Sequence, residues 1–98
     1  VGLFPQGAAV PEGARTTLDV LYFAWLRERI GLPRETVETG AATVAELVEE
    51  LRAREDRYDM AFRDLSAIRV AVDQQLTEFD TSLSDAREVA FFPPMTGG

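Results

Sequence analysis

The residues best suited to chemistry lie at the C-terminus, where the sequence reads FFPPMTGG. Pro93 and Pro94 favour an extended, polyproline-like backbone, whereas Gly97 and Gly98 have no side chain to obstruct their passage. The six residues 93–98 span about 20 Å when fully extended. Such a tail can enter a narrow channel and deliver a terminal carboxylate. Taken alone, the same residues also fit a frayed terminus without a function.

The rest of the chain offers little alternative chemistry. It contains no histidine and no cysteine, which removes the commonest zinc ligands, the commonest general base and any thiol nucleophile. Ser66, Ser82 and Ser84 therefore have no histidine to activate them. Glu49 and Glu50 lie on the polar face of a predicted helix, where a run of charges is typical of a solvated surface. We expect no metal site and no catalytic pair of carboxylates.

Composition restricts the partners and the location. A chain of 98 residues, of which 46% are apolar, suits one small domain with one modest core. The net charge of -7 argues against binding to nucleic acid or to an anionic membrane, and leaves a basic protein partner open. We find no hydrophobic run of about 18 residues and no signal peptide. Together with the absent cysteines, this predicts a cytoplasmic protein.

Periodicity predicts the order β-α-β-α-β-(β)-β. The clearest element is the helix TVAELVEELRARE, in which Thr43 and Glu46 form a capping box before an apolar stripe. A short helix, WLRERIG, precedes it, and residues 55–66 form a loop or a second short helix. The predicted strands cover residues 17–24, 35–39, 68–72, part of 74–79, and 88–92, with a turn at 85–87.

These elements predict an α+β fold, in which a small mixed sheet covers one main helix. Residues 17–92 form the domain and residues 93–98 form the extended tail. Residues 1–16 are rich in Gly, Pro and Ala without periodicity, so we interpret them as a flexible arm or an expression remnant.

The last predicted strand, EVAFF, has two different faces. Side chains alternate along a strand, so Val89 and Phe91 share one face while Glu88, Ala90 and Phe92 share the other. The glutamate marks the second face as solvent-exposed. We therefore expect Phe91 in the core, and Ala90 and Phe92 at a partner interface. The alternative is that Phe92 folds back onto the edge of the sheet.

Three stretches, LDVLYFAWLRERIG, TVAELVEEL and EVAFFPPMTGG, carry a family resemblance. Over about residues 17–98 the chain resembles the small subunits of molybdopterin synthase, which are ubiquitin-like sulfur carriers. The ending FFPP-x-x-GG is the most specific part of this resemblance. Two positions depart from the family pattern: Ala86 stands where the turn before the last strand usually has Gly, and Asp73 where Asn is frequent. Residues 1–16 have no counterpart.

The resemblance implies a β-grasp fold and a reaction at Gly98. An activating enzyme of the ubiquitin-activating type would use ATP to adenylate the Gly98 carboxylate, and a separate donor system would convert it to a thiocarboxylate. The tail, Pro93, Pro94, Met95, Thr96 and Gly97, would insert into the large synthase subunit and deliver sulfur to cyclic pyranopterin monophosphate. The chain itself would bind no cofactor. It would serve as the carrier of a transferase complex whose catalytic groups lie mainly on the large subunit.

Three alternatives stay open at this point. A sulfur carrier for thiazole synthesis shares the fold and the Gly-Gly end, although the FFPP element argues against it. A ubiquitin-like modifier would form isopeptide bonds with lysines of target proteins. An interaction module would carry an inert tail.

Overall fold

This computed structural model describes residues 16–94. The range contains five strands and three α-helices. A short 3-10 helix, Leu65–Ala67, joins the third helix to the third strand. The elements are β1 Thr16–Tyr22, α1 Ala24–Ile30, β2 Arg34–Thr39, α2 Val44–Arg54, α3 Asp56–Ala61, β3 Arg69–Val72, β4 Gln75–Thr77 and β5 Glu88–Phe92.

The strands form one mixed sheet in the order β2-β1-β5-β3-β4. β1 runs parallel to β5 and antiparallel to β2, and β3 is antiparallel to both β5 and β4. The strand that comes last in sequence is therefore the central one. The polar β2 lies at one edge of the sheet.

The core lies between one face of this sheet and the helices. Strands β1 and β5 direct Leu18, Val20 and Phe91 towards it, and all three are fully buried. The apolar stripe of α2 faces them with four buried residues, Val44, Leu47, Val48 and Leu51. A mixed sheet packed on one main helix is the predicted β-grasp architecture, and each apolar face thereby gains a cover.

The ends of the helices follow local hydrogen-bonding rules. The Thr43 hydroxyl accepts a bond from the Glu46 N–H at 3.3 Å, which confirms the predicted cap of α2. The Glu46 carboxylate bonds back to the N–H of Ala42, one residue earlier than in the usual capping box. Helix α1 ends at Gly31, whose φ of 91° lies in the left-handed region that glycine adopts without strain.

The turn before β5 explains how Ala86 replaces the expected glycine. The Ala86 N–H bonds to the Leu83 carbonyl at 3.0 Å, and the positive φ of this turn, 67°, falls on Asp85. Aspartate tolerates this conformation better than alanine does. Ala86 is thus free to turn its methyl group into the core, where it is 6% exposed.

A carboxylate joins β1, β2 and α3. Glu35 Oε2 accepts hydrogen bonds from the hydroxyls of Tyr22 at 2.8 Å and Tyr58 at 2.7 Å, and Arg54 lies 3.6 Å from the other oxygen. Burial, reinforced by the bond to Glu35, raises the pKa of Tyr58 to about 12 and raises the pKa of Tyr22 well above its usual value. Both hydroxyls therefore stay protonated and act as donors at neutral pH.

We predict that this contact is lost at alkaline pH. Unfolded Tyr58 ionises near pH 10 but folded Tyr58 only near 12, so its contribution is complete below pH 10 and disappears as the pH rises towards 12. At neutral pH, Tyr58→Phe should lower the free energy of unfolding by about 2 kcal/mol, because a hydrogen bond to a charged group is lost. Urea unfolding should show the difference between the two proteins shrinking over this pH range.

The composition of the chain limits the number of other groups that titrate between pH 10 and pH 12. It has only two tyrosines and neither lysine nor cysteine, so no other type of side chain titrates in this range. Both proteins retain Tyr22, so the difference between them measures the removal of the Tyr58 hydroxyl, together with its coupling to Tyr22 through Glu35. A difference that stays constant up to pH 12 would contradict the prediction.

Candidate functional site: the tail base and the docking face

The central strand anchors the base of the tail. Phe91 pairs with Tyr22 of β1 and Val70 of β3, and its carbonyl accepts a bond from the Phe23 N–H at 3.1 Å. Phe92, the last residue of β5, still pairs with Arg69. The chain is therefore held on both sides up to Phe91, and on the β3 side up to Phe92, the residue that precedes Pro93.

Phe91 is a core residue, as the alternation predicts. It is fully buried, its ring meets Phe62 edge to face at 4.9 Å between centroids, and it stacks on Tyr22 at 6.3 Å. Phe92 is half-buried, as are Pro93 and Pro94. The two neighbouring phenylalanines thus serve opposite faces of the sheet.

Ala90 corrects the expectation that solvent reaches the whole second face of β5. It is only 8% exposed, although it is not part of the hydrophobic core cluster. Its neighbours in the sheet are Leu21 on one side and Ala71 on the other. A methyl group in the middle strand rises little above the backbone, so flanking side chains cover it.

An apolar row crosses the outward face of the sheet. Leu21, Ala90, Ala71 and Leu76 are successive register partners on β1, β5, β3 and β4. Leu76 is 71% exposed. Together with Phe23, which is 44% exposed, and Phe92, these residues form a continuous apolar surface that we call the docking face. Two central alanines between larger side chains make its middle shallow.

The sequence did not reveal most of the docking face. Leu21 and Phe23 make the second side of the first predicted strand apolar, a pattern typical of a strand buried on both faces, whereas Leu21 is half-exposed and Phe23 follows the strand. The sequence predicts a strand in part of residues 74–79 but not its partner, and only the register with Ala71 brings Leu76 into the row. The available signal was a leucine in a polar strand of three residues.

Asp73 fixes the start of β5. Its φ of 50° places it in the turn between β3 and β4. One carboxylate oxygen accepts bonds from the N–H groups of Arg87 and Glu88, both at 3.0 Å, and its own N–H bonds to the Glu88 carbonyl. Asp73 therefore sets the position from which the central strand runs to the tail.

The other candidate residues have local structural contacts. Ser66 bonds to Asp64, Ser82 forms an isolated bridge with Thr43, and Glu50 accepts a bond from the Thr39 hydroxyl. Glu49 lies 3.7 Å from Arg52. The structure does not bring these residues together as one site.

Four of the predicted site residues, Met95, Thr96, Gly97 and Gly98, lie outside the described residues, so their roles stay predictions. Within residues 16–94, no group of three or more acidic residues is placed to hold a metal ion. In the same range no helix has both the length and the apolar character needed to cross a membrane.

The tail base and docking face belong to a region with known relatives. Residues 20–98 match the ThiS family. The chain is 42% identical over 81 residues to a molybdopterin synthase sulfur carrier subunit of Escherichia coli strain K12, covering 83% of this chain and 99% of the relative.

Solved structures agree with the fold. A Pyrococcus furiosus protein assigned as molybdopterin converting factor subunit 1 matches with a TM-score of 0.65 and 28% identity, over 82% of this chain and 99% of the other. A chain in the complex of subunits 1 and 2 of molybdopterin-converting factor from Helicobacter pylori matches with a TM-score of 0.54 and 22% identity, over 85% and 100%.

We predict that Asp73→Ala destabilises the domain by about 2–3 kcal/mol. The change removes the acceptor of two backbone donors and places alanine at positive φ. Asp73→Asn retains an oxygen acceptor and a residue that tolerates this φ, so it should cost about 1 kcal/mol or less. Urea unfolding of the three proteins measures both differences. Equal losses in the two variants would show that the hydrogen bonds to the carboxylate contribute nothing.

Proposed function

Because the chain belongs to the ThiS family, we propose that it carries sulfur on Gly98 as the small subunit of a molybdopterin synthase. The observation that carries this proposal is the junction at Phe92. The central strand ends there, beside an exposed apolar face, and passes directly into Pro93 and Pro94. A partner that covers the docking face is thereby positioned to receive the tail.

The proposed chemistry starts from the Gly98 carboxylate. A carboxylate is a poor acyl donor, because its leaving group would be oxide. Attack of this oxygen on the α-phosphorus of ATP, within an activating enzyme, forms an acyl-adenylate and releases pyrophosphate. A sulfide-level nucleophile from a separate donor then displaces AMP and leaves a thiocarboxylate. Attack of that sulfur on cyclic pyranopterin monophosphate forms a thioester, and its hydrolysis by water leaves the sulfur on the substrate and returns the terminus to a carboxylate.

The chain's own residues would guide the tail rather than catalyse. Two prolines at its base restrict the backbone, and fixing a residue costs roughly 1–2 kcal/mol of conformational entropy, so the stiff base lowers the cost of insertion. Met95, Thr96 and Gly97 would occupy the channel of the large subunit. The catalytic groups would lie mainly on that partner.

Three partners follow from this proposal. The large synthase subunit would cover the docking face, a ubiquitin-activating-type adenylyltransferase would charge the tail, and a sulfur donor system would supply the sulfur. The complex of the two subunits in Helicobacter pylori supports the first of these. The adenylyltransferase, the sulfur donor and the cytoplasmic location remain predictions from the sequence.

The absence of lysine bears on the modifier alternative. The 98 residues contain ten arginines and no lysine, so no lysine side chain is available for linking one copy to the terminus of another. Chains built through isopeptide bonds between copies are thereby excluded for this sequence. Attachment of single copies to other proteins is not excluded. Only the charging and transfer assays distinguish such a modifier from a sulfur carrier.

We predict that one residue added after Gly98 abolishes charging with sulfur. The added residue moves the carboxylate beyond the reacting position, and the chain offers no thiol as a substitute. Intact mass after incubation with the activating enzyme, ATP and a sulfur source measures the change from carboxylate to thiocarboxylate. The unextended protein is the control. Normal charging of the extended, unprocessed protein would rule out the terminal mechanism.

We predict that Phe92→Ser and Leu76→Ser each weaken binding to the large subunit by about 2 kcal/mol or more. Both side chains lie on the docking face, and interface anchors of this kind commonly contribute that much. Their melting temperatures should change little, since neither belongs to the core cluster.

Phe91→Ser provides the matched control, because it changes the neighbouring phenylalanine on the core face. It should lower the free energy of unfolding by about 3–5 kcal/mol. Calorimetric titration and thermal melts of the three variants give both quantities. Early melting of Phe92→Ser with intact folding of Phe91→Ser would mean that the two faces are assigned the wrong way round.

A further inference from the structure

Only some of the arginines of this acidic chain form ion pairs with carboxylates. Those near α2, α3 and the sheet edge at β2 lie within ion-pair distance of carboxylates: Arg34 with Asp19, Arg52 with Asp59, Arg54 with Glu35 and Arg57 with Glu55. Five arginines form no ion pair within residues 16–94, although acidic residues outnumber basic ones by 17 to 10 over the whole chain: Arg27, Arg29, Arg63, Arg69 and Arg87. Two of these five, Arg29 and Arg63, line the same groove.

Arg29 and Arg63 lie in a groove between α1 and the end of α3. The groove has a volume of about 370 Å³ and is bounded by Trp25, Arg29, Met60, Ala61, Arg63 and Asp64. Met60 is 53% exposed, and the Arg29 guanidinium lies 5.4 Å from the centroid of the Trp25 ring. The groove thus combines apolar walls with positive charge.

The single acidic residue of the groove is already occupied. One oxygen of Asp64 accepts bonds from the Ser66 N–H at 3.1 Å and the Ser66 hydroxyl at 2.6 Å. It forms no ion pair with Arg63 or Arg29 within residues 16–94. The two arginines therefore remain available to an outside carboxylate.

The groove is attached to the end of β5 from which the tail leaves. Its α1 wall begins directly after Phe23, whose N–H bonds to the Phe91 carbonyl. Its second wall lies on both sides of Phe62 in the sequence, and the Phe62 ring contacts Phe91. A partner that holds the docking face and the tail is thus next to the groove.

We propose that this groove receives an acidic segment, carrying at least one apolar side chain, of the large synthase subunit. The proposal rests on the proposed function. Carboxylates of that segment pair with Arg29 and Arg63, while the apolar side chain lies against Trp25 and Met60. The net charge of -7 repels an acidic segment from the rest of the surface, whereas the two arginines attract it to the groove. This difference selects the segment and aligns the partner beside the tail.

Other occupants fit the groove less well. A nucleic acid or an anionic membrane would meet the net charge of -7 around it. A free nucleotide would have two arginines for its phosphates, but no buried polar side chain lines the groove to fix its orientation.

The test is calorimetric titration of the cognate large subunit with the full chain at about 0.05 M and 0.3 M salt. Arg29→Glu combined with Arg63→Glu should weaken binding about tenfold at low salt and clearly less at high salt, because screening reduces interactions of exposed charges. Arg87→Glu makes the same type of charge change at the opposite end of β5, and should alter the dissociation constant less than twofold at either salt concentration.

Thermal melts of each variant serve as the control for folding. Should the double variant melt early, Arg63→Glu alone replaces it, since the Arg63 side chain makes no hydrogen bond or ion pair within residues 16–94. The single variant should weaken low-salt binding about threefold.

The outcomes separate the two proposals. If the unaltered chain binds and the groove variants match Arg87→Glu, or if their loss is the same at both salt concentrations, the groove proposal is wrong and the proposed function stands. If the unaltered chain neither binds the large subunit nor delivers sulfur to it, both fail. The remaining case is a nucleotide in the groove, which the fluorescence of Trp25, the only tryptophan, detects. If AMP quenches this fluorescence in the unaltered chain but not in the double variant, the groove is a nucleotide site and the proposal is overturned.

Discussion

The central strand β5 must place apolar side chains on both faces of the sheet, and the arrangement of the other elements depends on this constraint. β5 lies at the centre of the sheet, directs Phe91 into the core and Phe92 outwards, and then becomes the tail. Because side chains alternate along a strand, a slip of one residue would exchange these roles. The bonds of Asp73 to the first residues of β5, and the pairing of β5 with β1 and β3, prevent that slip.

The remaining elements follow from this constraint. Within residues 16–94, the helices cover the inner face only, and no element of this range covers the outer face of the three middle strands. Natural sheets usually protect such a surface with polar residues. Here Leu21, Phe23 and Leu76 keep it apolar, while charged residues occupy the edge strand β2. The distribution suits a protein that is complete only when a partner covers this face.

Local patterns predicted the elements, and long-range register determined what they could not predict. The N-cap of Thr43 and the opposite burial of Phe91 and Phe92 required only neighbouring residues, and the structure confirms both. The burial of Ala90 and the exposure of Leu76 depend on which strands lie beside them, information that one strand does not contain. The contact of two tyrosines with Glu35 likewise joins residues from three separate elements. The tail is predicted from its own residues and from the family resemblance, and its residues 95–98 lie outside the described part of the chain.

The parallel pairing of β1 with β5 has a mechanical consequence. β1 enters the sheet at one end, at Thr16, whereas β5 leaves it at the other end, at Phe92. A force that withdraws the tail from a channel while the body is held through β1 therefore loads the hydrogen bonds between these strands together, in shear, instead of opening them one after another. The domain can act as a rigid handle, which transmits traction to the tail without unravelling.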